Sequence, residues 1–307
     1  MSNLAYFKRK EHGSRRVFKE VKNTFFRRLT TKSSNLFLRG GDVISVGPQA
    51  NSLHEPDLTG AIDYCCDSGY SDFLIDIGSN IGLTTAQNGA GFSRIICFEP
   101  NPLCVHILKV NVEIAGLAGK AEVCEYGLGE AEGNYELWIP RHNWGGAFVK
   151  SDENSYSEDL ILSKDGLSEF KDSQYMIKNI EVRSAKRILS EKFSSLIDAG
   201  LTKGVIKIDV EGMEGVVIKG IADSIPDTVK AIIFFENWDD NINYKDIMAM
   251  FAKRRVKIMK LNYERPFRKN WPRLVKAALL LLRSTELRID NIEDSKDRTG
   301  DLAIVLE

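Results

Sequence analysis

The stretch FLIDIGSNIG, residues 73–82, decides the fold of this 307-residue chain. Phe73 to Ile77 is a short apolar run, which predicts a buried β-strand. Gly78 and Gly82 follow it and predict a tight turn, because glycine adopts backbone angles that a Cβ forbids. The pattern becomes helical from about residue 82. A strand that enters a helix through a glycine-rich turn is typical of the first unit of a doubly wound α/β sheet.

The rest of the chain repeats this alternation of apolar strands and helical segments. Six further strands are predicted at residues 94–98, 121–126, 205–210, 231–235, 256–261 and 302–306. Helices are predicted from about residue 82 and at residues 102–116, 185–198, 213–221 and 243–254. Because crossover helices join parallel strands, we expect an α/β fold that is doubly wound around a mostly parallel, seven-stranded sheet. A short hairpin is predicted at residues 36–46, and a long polar loop or lid at residues 150–175.

Charge is segregated along the chain and indicates its domain organisation. Residues 1–40 hold 11 basic and 2 acidic residues and are interpreted as a basic N-terminal extension, whereas one domain covers residues 41–307. A second basic region, residues 253–283, holds 11 basic residues and 1 acidic residue. It leads into an insertion at residues 264–300, before the last strand, with an amphipathic helix predicted at 272–283. The two basic regions either attract an anionic surface or pair with the acidic body between them.

The composition excludes several classes of protein. With 43% hydrophobic and 28% charged residues, the chain is typical of a soluble globular protein and is not disordered. Its five cysteines show no C-x-x-C spacing, which argues against a zinc site and fits a reducing compartment. No apolar run approaches the roughly 20 residues that span a bilayer, and no signal peptide is visible. A cytoplasmic protein is therefore expected, and the basic regions extend this expectation to the inner face of the membrane.

The turn after the first strand and the end of the second strand predict a nucleoside site. Ligands of doubly wound sheets bind at the carboxyl ends of the strands, and Glu99 stands where an acid accepts hydrogen bonds from ribose hydroxyls. A dinucleotide fingerprint needs G-x-G-x-x-G, but Asn80 and Leu83 occupy its later glycine positions. Asp76 opens the turn instead. A carboxylate suits a cationic donor without phosphate, such as S-adenosylmethionine.

Four motifs together carry a resemblance to a known family. They are HEP at residues 54–56, DIGSNIG at 76–82, FEPNP at 98–102 and KIDVEGME at 207–214. With these motifs and Gly220, the chain resembles the FkbM family of S-adenosylmethionine-dependent methyltransferases over about residues 42–237. The resemblance implies a class I, Rossmann-like methyltransferase fold. The chain departs from the family at His54, where an aromatic residue is usual, and at RSAK (183–186), where a Leu-Asp pair is common.

The resemblance also implies which residues bind the donor. The first motif would line its methionine part, Glu99 would hold the ribose, and Asn101 with the backbone at residues 126–128 would border the adenine. The implied donor-binding set is Asp76, Gly78, Ser79, Asn80, Gly82, Glu99, Pro100, Asn101, Gly127, Leu128 and Asp209.

Acids at the ends of neighbouring strands are candidates for the O-methylation chemistry that the resemblance implies. Asp209 is predicted to be the general base or an acceptor ligand, with Glu211 and Glu236 orienting the acceptor. The same three acids could hold a divalent cation instead, so the metal ligands stay unassigned. His142 is an alternative base, because it lies in a loop with Trp144, a residue suited to stacking on a sugar ring.

The predicted function is therefore S-adenosylmethionine-dependent O-methylation of a sugar hydroxyl, in a cell-surface polysaccharide or a related glycan. Three alternatives stay open: methylation of a nucleic acid, methylation of a small polyketide-like hydroxyl compound, and a non-catalytic protein that binds the cofactor and recruits partners. The chain lacks a Pro-Pro-aromatic signature of amino-group methylation, so no nucleic acid partner is expected. The expected partners are a sugar or glycan acceptor, an anionic membrane contacted peripherally, and a second copy of the chain in a homodimer.

Overall fold

The computed structural model describes residues 21, 36–51, 53–151, 154, 171–237, 242–264, 272, 275, 286–292 and 299–307. Most of the basic extension predicted at residues 1–40 lies outside these residues. The same holds for most of the polar loop predicted at 150–175 and of the helix predicted at 272–283, so these segments stay predictions. Within the described residues, no helix combines the length and the apolar character needed to cross a bilayer.

Helices and strands alternate along the described part of the chain. The helices are α1 (Val46–Asn51), α2 (Pro56–Asp67), α3 (Leu83–Asn88), α4 (Pro102–Ile114), α5 (Ala185–Asp198), α6 (Glu214–Ser224) and α7 (Tyr244–Met250). The strands are β1 (Phe73–Ile77), β2 (Arg94–Phe98), β3 (Ala121–Cys124), β4 (Gly127–Gly129), β5 (Gly133–Pro140), β6 (Phe148–Val149), β7 (Tyr175–Ser184), β8 (Lys203–Ile208), β9 (Lys230–Asn237), β10 (Val256–Glu264), β11 (Glu286–Asn291) and β12 (Gly300–Leu306). Each predicted strand of the parallel sheet is present, although several boundaries shift by a few residues.

An eight-stranded sheet forms the centre of the fold, in the order β11-β10-β12-β9-β8-β1-β2-β3. The five strands from β9 to β3 run parallel, while β12 pairs antiparallel with both β9 and β10. This confirms the predicted doubly wound, mostly parallel α/β class. The predicted count of seven strands was one too few, because β11 pairs antiparallel with β10 at the sheet edge. Charged residues alternate with apolar ones in β11, so no continuous apolar run indicated a strand.

Helices cover β1 on both faces of the sheet. Ile75 on one face packs in a cluster with Phe193 of α5. Leu74 on the other face packs with Ile62 of α2 and Leu108 of α4. A strand that is buried on both faces loses the alternation of apolar and polar residues. This is the physical reason why the apolar run at the start of the deciding stretch predicted β1 correctly.

A second sheet, in the order β4-β7-β5-β6, was not predicted. Its longest pairing is antiparallel, between β5 and β7, and runs from Gly133 opposite Val182 to Pro140 opposite Tyr175. Half-buried and exposed positions alternate along the first half of β5, so the sequence shows no continuous apolar run there. This small sheet faces the carboxyl ends of β1 and β2 across a cleft, and therefore contributes directly to the site.

The hairpin predicted at residues 36–46 is wrong. A 3₁₀ turn occupies Val43–Ser45 and leads into α1. Asp42 directs this turn, because its side chain accepts hydrogen bonds from Arg39 Nη1 at 2.6 Å and from the Ile44 N–H at 3.4 Å. Side-chain acceptors of this kind favour the start of a helix over a strand pair.

Candidate active site

The carboxyl ends of β1, β2 and β8 border a cleft of about 840 Å³ that is open to solvent. Leu137, Phe148 and Val182 of the second sheet form the facing wall. This is the edge of a doubly wound sheet at which ligands bind. The predicted site residues that line the cleft are Gly78, Asn80, Glu99, Pro100, Gly127, Leu128, Asp209 and Glu211.

The turn after β1 depends on glycine at position 78. Gly78 has a φ of +79°, and a Cβ at this position would lie 1.9 Å from the backbone oxygen of Asp209. The turn therefore passes directly beside the end of β8, which only glycine permits. The backbone N–H groups of Gly78 and Ser79 both donate to the Phe98 carbonyl, at 2.9 and 3.0 Å. These bonds join the ends of β1 and β2 at the cleft.

Asp76 lies beneath the cleft and not on its surface. Its side chain is fully buried, and its Oδ2 accepts a hydrogen bond from Thr85 Oγ1 at 2.7 Å. Lys207 Nζ lies 3.6 Å from its Oδ1. Contact between Asp76 and the methionine part of the donor therefore stays a prediction. The cation that this carboxylate faces is a lysine of β8, and Asp76 is not among the described residues that line the cleft.

Three further predicted donor ligands support the cleft from outside its described lining. Ser79 Oγ donates to the carbonyl of Asp76 at 2.6 Å. Gly82, with a φ of +79°, directly precedes α3. Asn101 caps α4, since its Oδ1 accepts the N–H of Leu103 at 3.1 Å. These residues shape the backbone around the cleft, and direct contact between them and a bound donor stays a prediction.

Glu99 lines the cleft as predicted, with its carboxyl group already oriented by the backbone. Its Oε2 accepts the N–H of Asn80 at 2.7 Å, and its Oε1 accepts the N–H of Asn101 at 2.8 Å. Burial raises the pKa of Glu99 to about 7, although these two N–H groups and the Lys207 ammonium oppose the rise. Each carboxyl oxygen keeps a second lone pair, which leaves acceptors for the hydroxyl groups of a ribose.

The part of the cleft beyond Glu99 is apolar and partly aromatic. Tyr126 lies between Pro100 and the second sheet, with its ring centroid 5.8 Å from that of Phe98. The Arg183 guanidinium lies 4.0 Å from the centre of the Tyr126 ring, in cation–π contact. Arg183 belongs to the motif that departs from the family, so this departure supports the wall of the cleft.

Sequence reasoning missed the cleft residues that the second sheet contributes. Tyr135, Leu137 and Val182 are the main ones, and their alternation with polar neighbours was the available signal. Trp144, which was predicted near the acceptor, does line the cleft. The Arg39 guanidinium lies 4.0 Å from its ring centroid and covers one face, so only the other face could stack on a sugar.

Lys207 fixes the position of Asp209 at the end of β8. Its Nζ donates to Asp209 Oδ2 at 3.0 Å and to the carbonyl of Gly78 at 3.2 Å. Burial lowers the pKa of Lys207, but the carboxylates of Asp209, Asp76 and Glu55 outweigh this effect and raise it well above its ordinary value. Lys207 is therefore a buried cation. The side chain of Asp209 remains 40% exposed and lines the cleft.

A second, small pocket that is open to solvent, here called the second cavity, lies on the other side of Asp209. Glu236 of β9, Asp301 of β12 and Glu55, the residue before α2, also line it. The structure thus separates the three predicted catalytic acids, since Glu211 lines only the cleft, Glu236 only the second cavity, and Asp209 both. Glu55 and Asp301 were not assigned a role from the sequence, because they lie far along the chain from the other acids.

Two other predictions about the chemistry find no support in the geometry. His142 is exposed and lies outside the described linings of the cleft and of the second cavity. Its role as an alternative base therefore stays a prediction. Within the described residues, no three His, Cys, Asp or Glu side chains are grouped so that they could hold a metal ion. A divalent-cation site thus stays without a ligand set.

Comparison with known proteins identifies the family. The model of the FkbM methyltransferase domain matches residues 76–263. The methyltransferase sdnD of Sordaria araneosa is 25% identical over 188 residues, which cover 58% of this chain and 71% of the relative. Methyltransferase 1 of Beauveria bassiana is 23% identical over 178 residues, which cover 56% and 68% of the two chains.

Solved structures are similar only at a distance. An O-methyltransferase from Bacillus cereus in complex with SAH shows 10% identity and a TM-score of 0.39, with 99% of this chain and 94% of that chain covered. The FkbM methyltransferase from Methylobacillus flagellatus shows 15% identity and a TM-score of 0.39, with 94% and 60% covered. Likenesses this distant say nothing about the acceptor.

The cleft suits the S-adenosylmethionine that methyltransferases of this kind use. Glu99 offers acceptors for the ribose, Pro100 and Leu128 offer an apolar wall for the adenine, and Asp209 offers a negative charge toward the sulfonium. The exact donor contacts of these residues stay predictions. The matched domain covers more than half of the chain, and its match contains the turn, the ribose acid and the end of β8. The chain belongs to the FkbM family of S-adenosylmethionine-dependent methyltransferases.

Proposed function

We propose that this protein methylates a hydroxyl group of a sugar. The supporting observation is the second cavity, which brings Glu55, Glu236 and Asp301 beside Asp209, a residue that also lines the donor cleft. Ionised carboxyl groups accept hydrogen bonds from hydroxyl groups, and a sugar ring carries several hydroxyl groups close together. An acceptor in the second cavity would therefore present one hydroxyl at the boundary formed by Asp209.

The same charges argue against the other acceptors. A nucleic acid needs cations around its phosphate groups, whereas the described lining of the second cavity has four carboxyl groups. Its one lysine, Lys207, already contacts Asp76 and Asp209. A polyketide-like compound with a single hydroxyl could donate to only one of these carboxyl groups, whereas a sugar ring offers several hydroxyl donors.

Positioning is what this chain contributes to the transfer. When bound, S-adenosylmethionine supplies a methyl carbon that is activated by a sulfonium. The residues must align an acceptor oxygen with that carbon, and such alignment accounts for much of the rate of a two-substrate reaction. The Gly78 turn and Asp209 lie in contact, so the two substrates meet at one point. Asp209 is held there by Lys207 at 3.0 Å, and Glu211 is placed to accept a second hydroxyl on the cleft side.

A panel assay tests this function. The full-length protein is incubated with S-adenosylmethionine labelled on the methyl group and, separately, with p-nitrophenyl glycosides, a hydroxylated macrolactone and total RNA. We expect label only in the glycosides, with a mass increase of one methyl group on the sugar. Label in the macrolactone or the RNA, with none in the glycosides, would contradict the proposal. Asp209→Asn is expected to bind S-adenosylhomocysteine and to lose turnover, which separates the donor site from the acceptor site.

A further inference from the structure

We propose that Glu55 is the general base of methyl transfer and that the acceptor hydroxyl lies in the second cavity between Glu55 and Asp209. This inference rests on the proposed function, because it requires a hydroxyl acceptor. Glu55 and Asp209 line the same cavity, and Asp209 also lines the donor cleft. A hydroxyl that reaches Asp209 from this side has Glu55 as a neighbour and faces the donor.

The backbone of Glu55 is strained in a way that is common at functional residues. Its φ of 40° and ψ of 65° lie in the left-handed region, although it is not a glycine. A residue other than glycine keeps such a conformation only where the surroundings impose it. Among the described residues other than glycine, only Asn80 shares a positive φ, and Asn80 belongs to the donor turn. A residue other than glycine thus has a left-handed backbone both beside the second cavity, at Glu55, and in the turn of the donor cleft, at Asn80.

Four hydrogen bonds hold this conformation on both sides of Glu55. The N–H and the Oγ1 of Thr59 donate to the carbonyls of Glu55 and His54, at 2.9 and 3.0 Å. The N–H of His54 donates to Gln87 Oε1 at 2.8 Å, and Gln87 Nε2 donates to the His54 carbonyl at 3.4 Å. Pro56 then begins α2 with a fixed φ. The backbone is therefore held on both sides of Glu55, whose side chain lines the second cavity.

Glu55 is better suited to accept a proton than Asp209. Asp209 is in an ion pair with Lys207 at 3.0 Å, and an adjacent cation weakens a carboxylate as a base. Glu55 lies 3.6 Å from His54 Nε2, but burial and Lys207 lower the pKa of His54 to about 4, so this histidine is neutral at pH 7. His54 therefore does not act as a cation toward Glu55.

The surroundings place the proton affinity of Glu55 in the range that general bases need. Its side chain lines the second cavity and is 47% exposed. Burial, together with the carboxylate of Asp209, raises the pKa of Glu55 to about 7. A base whose pKa is close to the working pH is the most effective. The charged and titratable groups that face Glu55 are His54, Asp76, Lys207, Asp209 and Asp301.

The proposed step balances in atoms and charge. A lone pair of the acceptor oxygen forms the new O–C bond to the methyl carbon while the C–S bond breaks. The electrons of the C–S bond remain on the sulfur, which becomes a neutral thioether. The hydroxyl proton passes to the Glu55 carboxylate. One positive charge and one negative charge are thereby removed, and the product ether is neutral.

The test compares Glu55→Gln with Asp57→Asn, a matched control that removes one carboxylate in the first turn of α2. Turnover is measured against pH with labelled S-adenosylmethionine and the glycoside that the wild-type protein methylates fastest. General bases contribute roughly 10²- to 10⁴-fold, so we expect E55Q to lose turnover on that scale. We also expect it to lose the rise in turnover that the wild-type protein and D57N show around pH 7. Calorimetric binding of S-adenosylhomocysteine should be unchanged in both variants.

The assignment is overturned if E55Q keeps the turnover and the pH profile of the wild-type protein. If E55Q does not bind S-adenosylhomocysteine, Glu55→Asp replaces it. A fall in turnover that keeps the rise around pH 7 is then expected, and unchanged turnover overturns the assignment.

Failure of the proposed function is a distinguishable result. If the wild-type protein methylates no glycoside, infrared spectra of the protein alone at a series of pH values still decide the role of Glu55. Because Glu99 also has a pKa of about 7 and is present in both proteins, the spectra of E55Q are subtracted from those of the wild-type protein. A protonated-carboxyl absorption that disappears around pH 7 in this difference supports the assignment. Identical spectra of the two proteins overturn it.

Discussion

Replacing Lys207 by methionine tests whether this buried cation organises the site. The variant keeps most of the side-chain volume but leaves Asp76, which is fully buried, without its counter-charge at 3.6 Å. Breaking a buried ion pair by removing one partner costs about 3–5 kcal/mol. Asp209 is 40% exposed and can be solvated by water, so its share must be discounted. We therefore expect a loss near the low end, about 3 kcal/mol.

Urea unfolding followed by circular dichroism measures this loss as a change in the free energy of unfolding. Lys219→Met is the matched control, because Lys219 forms an ion pair of 2.6 Å with Glu130 on the surface, where it is 51% exposed. The control should leave the free energy of unfolding nearly unchanged, because water screens an exposed ion pair. The double variant Lys207→Met, Asp76→Asn removes both charges and should be more stable than Lys207→Met alone, because no uncompensated buried charge remains.

Two results would refute this reasoning. One is a loss below about 1 kcal/mol in Lys207→Met, which would mean that Asp76 does not depend on the lysine for its charge. The other is a double variant that is no more stable than the single variant, which would place the cost in packing. In either case, the affinity for S-adenosylhomocysteine shows separately whether the position of Asp209 matters for the donor.

Three further predictions concern the cleft. Gly78→Ala should weaken S-adenosylhomocysteine binding by at least about tenfold in calorimetry, because its Cβ would clash with the Asp209 carbonyl at 1.9 Å. The control is Gly116→Ala, which also has a positive φ, of +70°, but lies in open space and should bind normally. Glu99→Gln should remove a pH dependence of stability, because the pKa of Glu99 rises from 4.5 to about 7 on folding. Between pH 4.5 and 7, the free energy of unfolding of the wild-type protein should therefore fall relative to that of the variant. His142→Ala should leave turnover within about twofold of the wild-type value, because His142 lines neither the cleft nor the second cavity. A larger loss of turnover would support His142 as the base.

The central strands and the donor turn could be predicted from the sequence because both depend on local properties. β1 and β8 are covered on both faces, which requires apolar residues at consecutive positions. Gly78 and Glu99 are tied to strand ends by their place in the chain. The second sheet and β11 could not be predicted in the same way, because polar residues interrupt their apolar ones and their pairing partners are distant in sequence.

Asp76 shows most clearly where reasoning from the sequence stopped. A carboxylate at the start of the turn indicated a cationic ligand, and the structure places a cation next to it, but that cation is Lys207 of a strand more than a hundred residues later. The pattern and spacing of residues predict that a buried carboxylate needs a positive charge beside it, but they do not identify the group that supplies this charge.

The amino-acid sequence by itself determined the doubly wound α/β class, the glycine turn and the acid that ends β2, because periodicity and turn chemistry act over a few neighbouring residues. Only the tertiary structure decided which acids share a cavity. Residues 55, 209, 236 and 301 meet because β8, β9 and β12 lie side by side in the sheet and α2 covers the adjacent face. The order of strands in a sheet depends on packing between residues that are distant in sequence, so no local pattern of residues determines it.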